Sequence, residues 1–152
     1  MAAAEHITSS HKFSIGISIT DGAAASTDVE GAAIDTENFQ SIAMHVLFGE
    51  IVSGAAVYIK AQQSADEAFS SPIDITGTKQ VVADTKSNEA FIIDIIRTNH
   101  ETYPWVRVHV DRATQNATCC CYYELYDARV LPATQPATIN VEQFKDGSSG
   151  TA

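Results

Sequence analysis

The chain has 152 residues, enough for one domain with tails and too few for a second independent core. Apolar types make up 45% of it and charged types 18%, which excludes wholesale disorder. Its 19 acidic and 9 basic residues give a net charge of −10, so phosphate backbones and anionic lipid would repel it, and neither nucleic acid nor a membrane surface is expected as a partner.

The opening residues, Met1-Ala2-Ala3-Ala4-Glu5, lack the basic and long apolar regions of a secretory signal, and no stretch approaches the ~20 apolar residues that span a bilayer. A soluble chain made in the cytosol is expected. The three cysteines are consecutive, Cys119-Cys120-Cys121, so they cannot form the spaced framework of a small secreted scaffold. They read as reduced, buried thiols.

Along the chain, apolar and polar residues alternate repeatedly, which is the period of a β-strand and not of a helix. From Lys12 to Thr20 the residues Phe13, Ile15, Ile17 and Ile19 share one face. Asp21 to Gly31 is small and acidic and reads as a loop. Between Asn38 and Ile51, Ile42, Met44, Val46 and Phe48 alternate with Ala43, His45 and Leu47. This strand is apolar on both faces and is therefore predicted to be central.

A third strand, Ala55 to Gln63, ends in the polar tip Ser64 to Ala68. Short strands follow at 73–76 and 79–83, then Glu89 to Arg97 with Phe91, Ile93 and Ile95 on one face. Trp105 to Asp111 places Val106, Val108 and Val110 on one face, and the last strand runs from Ala117 to Val130. The residues expected to be buried are Phe13, Ile15, Met44, Val46, Val57, Ile59, Phe91, Ile93, Val106 and Val108. Seven or eight strands at this spacing predict an all-β, antiparallel two-sheet sandwich, jelly-roll-like, over residues 12–131. Residues 1–11 and 132–152 are read as extended N- and C-terminal arms.

The chemistry-bearing residues form no motif. The histidines at 6, 11, 45, 100 and 109 show no HExxH or HxH spacing, and adjacent cysteines on a strand point to opposite faces, so no metal site is expected. There is no GxSxG and no phosphate loop, and Asp66-Glu67 reads as a solvated turn. Asn116-Ala117-Thr118 matches a glycosylation acceptor but reads as a turn entering a strand. No catalytic residue and no cofactor are assigned. Tyr103-Pro104-Trp105 and the arginines 97, 107, 112 and 129 combine aromatic and guanidinium groups in the way of protein interfaces, or alternatively pair with the acidic residues.

Six elements recur in order and spacing between Val57 and Pro132. They are Gln63-Ser64-Ala65-Asp66, Ile73-Asp74-Ile75, Ile96-Arg97, Tyr103 to Arg107, Arg112-Ala113 with Asn116, and Tyr126 to Arg129 with Pro132. On these elements, about half of the chain resembles the head decoration, or cement, proteins of tailed bacteriophages and their prophage relatives. The resemblance implies a β-sandwich without an active site. It would bind the outer surface of a mature capsid, bridge neighbouring major capsid proteins, form a dimer or trimer there and reside in the virion. The residues expected at such an interface are Trp105, Arg107, Arg112, Val141 and Phe144. The other reading is a carbohydrate-binding sandwich on a virion or secreted protein, in which Trp105 and nearby tyrosines form a stacking platform.

Overall fold

Segments whose side chains alternate between core and solvent can bury one face by stacking one sheet on another, and the chain does this with two sheets around one core. The computed structural model describes residues 6–112 and 116–141. After a single helical turn, α1 (Ile7–Ser10), the strands are β1 (Lys12–Ile17), β2 (Val29–Glu30), β3 (Ile34–Asp35), β4 (Phe39–Ile51) and β5 (Val57–Ser64). They continue as β6 (Ile73–Asp74), β7 (Gln80–Val82), β8 (Ala90–Ile95), β9 (Trp105–Asp111) and β10 (Ala117–Ala128). One sheet has the order β1-β10-β4-β8, and the other runs β2-β9-β5-β6 with β3 also on β9 and β7 also on β5. Every pairing is antiparallel. With β2 and β3 sharing one position and β6 and β7 another, this is the eight-position order of a jelly roll.

The long strand β4 lies inside its sheet, as its two apolar faces predict, and the core forms where the sheets meet. Ile42, Met44 and Val46 of β4 and Tyr123 and Leu125 of β10 meet Val57, Ile59 and Ala61 of β5 and Val106, Val108 and Val110 of β9, all fully buried. Phe91 is only half-buried and meets Phe48 edge-on at 5.7 Å.

The first strand departs from its expected facing. Ile15 pairs with Tyr122 and Ile17 with Cys121, so a bulge at Gly16 breaks the alternation. Phe13 and Ile15 consequently face outward, Ile17 faces the core, and Ile19 is 78% exposed. The segment 21–31, read as a loop whose alanines could support one helical turn, contributes β2 at its end and the bridge Ala25↔Ala117.

Tyr123 ties the two sheets together. Its hydroxyl crosses the core, accepts the N–H of Val108 at 3.1 Å and donates to the carbonyl of Ala32 at 2.9 Å. It thereby fills the break between β2 and β3 along β9. The ring needs glycine beneath it, because a Cβ at Gly16 would stand 2.6 Å from the ring carbon and one at Gly31 would overlap the hydroxyl.

Where arms were expected, α1 gives one helical turn, and the described part of the C-terminal segment returns alongside it. The Gln135 carboxamide accepts the N–H of Phe13 and donates to the carbonyls of Thr8 and His11, while Ala133 N–H donates to Ser9. At the far side of the same sheet Gln80 donates to the carbonyl of Ile92 on β8.

Replacing Tyr123 with Phe keeps the volume but leaves a buried N–H and a buried carbonyl without their partner. We expect a loss of about 1–3 kcal/mol, read from the urea midpoint at unchanged slope.

Candidate interaction face

The two outer faces of the sandwich differ in chemistry. On the β1-β10-β4-β8 sheet, the register sets Ile15, Tyr122, His45 and Ile92 in one row across all four strands. Cys120, Leu47 and Ala90 form the row beside it, with Ile19 alongside lining a groove with Ile15, Cys120 and Tyr122. Ile15, Ile19, Leu47, Ile92 and Tyr122 are all exposed. Apolar residues scattered over a surface are ordinary, but contiguous rows on one sheet face mark a contact surface.

The few charges on this face are matched. Glu124, in the row Phe13–Glu124–Ala43–Asp94, binds His11 Nδ1 and His45 Nε2, each at 2.8 Å. Burial pushes its carboxyl up, yet the two imidazole bonds and their charges outweigh that, and the group is held below the ordinary carboxylate range. His45 in turn stacks on Tyr122, with centroids 4.5 Å apart and planes 9° from parallel. The Tyr126 hydroxyl donates to Asp94 at 2.5 Å, and burial together with that bond pushes the phenol up to about 12. A face whose polar atoms are already partnered loses little when water leaves it.

The β2-β9-β5-β6 sheet turns outward a lattice of ion pairs. Lys60 Nζ meets Asp74 at 2.6 Å, and Gln62 donates to the same carboxylate. Those two bonds lower the Asp74 carboxyl, the lysine's being the stronger. Arg107 pairs with Glu30 at 2.5 Å, donates to Gln62 at 3.0 Å and lies 4.3 Å over the ring of buried Phe69 from the hairpin after β5.

The residues expected at an interface are not brought together. Arg107 is engaged in that lattice. Arg112 is 2% exposed, and its guanidinium donates to the carbonyls of Thr27, Ala23 and Ala117, tying the 21–28 loop to the start of β10. Its charge is thus taken up inside the domain and does not reach a partner. Trp105 is half-buried at one end of β9, opposite Ser64, whereas Tyr58 faces Asp111 at the other end, about 20 Å away along the strand. Trp105 and Tyr58 therefore do not share a platform. Val141 is exposed at the end of the described C-terminal segment, and Phe144 lies outside the described residues.

The apolar rows were missed for two reasons. Apolar residues on both faces of β4 signalled only that the strand was central, and the bulge at Gly16 hid the outward turn of Ile15. Compared with known proteins, the chain matches no family model and no curated sequence.

Two measurements follow from this geometry. Because Glu124 is held below its ordinary value of 4.5, the stability it contributes is present above that pH and lost as pH falls through its folded-state value. The stability gap between wild type and Glu124→Gln should therefore hold above about pH 4.5 and narrow as the pH falls below it in thermal melts. All three cysteines are free. Cys119 and Cys121 face the core, where burial pushes the Cys119 thiol up to about 11 and Cys121 higher still. Cys120 departs from the expected burial, standing half-exposed on the outer face. A thiol reagent should label one cysteine in the native protein and three after denaturation.

Proposed function

We propose that this chain is a non-enzymatic decoration protein of a tailed-phage head. It binds the outer surface of the assembled capsid and bridges neighbouring major capsid proteins. The observation that carries this reading is the partnered, apolar outer face of the β1-β10-β4-β8 sheet, a surface suited to being covered by another protein. The resemblance of residues 57–132 to head decoration proteins supplies the identity of that other protein. The jelly-roll strand order adds an analogy, since the same order recurs in viral capsid domains.

On this reading the protein acts by mass action. A chain that binds the expanded lattice and not its dissociated subunits stabilises the lattice against the pressure of packaged DNA. Its residence is the virion, and it works there as a homo-oligomer, each copy contacting more than one capsid subunit.

The test adds purified protein to heads that lack it and measures occupancy and heat-induced DNA release. Leu47→Glu and Ile92→Glu place a charge on the apolar rows at exposed positions, so their melting temperatures should match wild type while occupancy falls about tenfold or more. Val81→Glu, on exposed β7 of the other sheet, should bind as wild type does. Failure of the wild type to bind heads in any maturation state, or equal binding by all three variants, would overturn the proposal.

A further inference from the structure

The outward face of β9 carries one cluster that the ion-pair lattice does not absorb. Asp28 lies immediately before β2, and His109 and Asp111 lie two residues apart on β9, so they share a face. The pairing Val29↔Val110 brings the three together, and one ligand-type atom from each falls within 4.8 Å of the others. The ring of His109 sits in an unusual position. Its Nε2 is 3.7 Å from an Asp28 oxygen, too long for a hydrogen bond. Its buried Nδ1 has no hydrogen-bond partner, with Glu30 next to it at 4.0 Å.

The 3.7 Å between His109 Nε2 and Asp28 fits two donors of one cation, and the wider separations in the cluster would close on binding. Ligands that sit about 2.0–2.2 Å from one ion lie about 3–4 Å from one another, close without touching. A carboxylate behind the ring is the usual support of a metal-bound imidazole, because it accepts the Nδ1 proton and fixes Nε2 as the ligand. Closing the gap to Glu30 would give buried Nδ1 that acceptor. Three neighbouring cations have other partners: Arg107 has Glu30 and Gln62, Lys60 has Asp74, and Lys79 lies 3.9 Å over the ring of Tyr58. The Tyr58 hydroxyl bonds to Asp111, which positions that carboxylate.

We propose that Asp28, His109 and Asp111 form a binding site for a divalent first-row cation, with Glu30 supporting the histidine. One imidazole and two carboxylates suit Mn²⁺ or Zn²⁺, and the half-exposed Asp28 side leaves positions for water. The ion would staple the two-residue strand β2 to β9, at an edge where two residues of pairing hold little by themselves.

Mn²⁺ is the appropriate probe because, unlike Zn²⁺, it has little affinity for the three thiols. Titration followed by electron paramagnetic resonance should show one bound Mn²⁺ per chain, with nitrogen coupling from the imidazole, and a raised melting temperature. Asp28→Asn, at a half-exposed position, should fold normally and weaken binding by about tenfold or more. His109→Gln should remove the nitrogen coupling. No uptake at millimolar Mn²⁺ would overturn the proposal and leave His109 as an ion-pair partner of Asp28 and Glu30. Binding unchanged in Asp28→Asn, or nitrogen coupling retained in His109→Gln, would overturn it equally.

Discussion

A sheet with a broken edge strand must find partners for the backbone groups at the break, and here a phenol supplies them from the opposite side of the core. The Tyr123 hydroxyl takes the Val108 N–H and gives its own proton to Ala32, between the two short pieces β2 and β3. Hydrophobic contact alone would let two sheets slide, since burial is nearly indifferent to direction. A buried hydroxyl with two backbone partners is not, and it fixes how the sheets sit on one another. Other features follow from making room for it. Gly16 lies under the ring and Gly31 against the hydroxyl, and Ala32 N–H donates to the Gly16 carbonyl across the same junction. The bulge at Gly16 then sets the facing of β1, which turns Ile15 out to solvent and Ile17 in.

That chain of dependence links the core to the contrast between the outer faces. Were β1 to run without its bulge, Ile15 and Ile17 would face the same way and the row Ile15–Tyr122–His45–Ile92 would lose its first member. The other sheet keeps its charges in a lattice that includes Phe69, whose left-handed backbone (φ 53°) lets the hairpin tip fold back over Arg107. With ten more acidic than basic residues overall, the domain places its matched charges on one side and its nearly charge-free rows on the other. Electrostatic repulsion between the chain and another acidic surface would be least along those rows.

The sequence made the sandwich legible because strand 105–111 carries an unbroken alternation that only one facing satisfies, and the run 39–51, apolar on both faces, marked the inside of a sheet. The pieces β2 and β3 were not legible, since two residues cannot display a period. The bulge was hidden as well: Phe13, Ile15, Ile17 and Ile19 alternate perfectly, and only the size of the Tyr123 ring shows why the strand cannot follow them. The arginines misled for a different reason. Whether a guanidinium serves a partner or the domain depends on which carbonyls and carboxylates the fold brings near it, and Arg112 finds two carbonyls from distant positions and a third five residues away. The apolar rows and the cluster around His109 both arise from register between strands far apart in sequence, which residue spacing does not encode.

The margins of the first sheet bear on how the molecule meets its neighbours. An open sheet invites another strand to add at either end, because unpaired N–H and C=O groups line β1 and β8. In this protein a glutamine carboxamide occupies each margin: Gln135 engages Phe13, Thr8 and His11 on one side, and Gln80 engages Ile92 on the other. A side-chain amide mimics the peptide group it replaces, so it consumes main-chain valences without offering a new strand to continue the ladder. Edge-to-edge polymerisation is thereby discouraged. The broad face of the sheet, unlike its edges, offers no ladder for a further strand to extend.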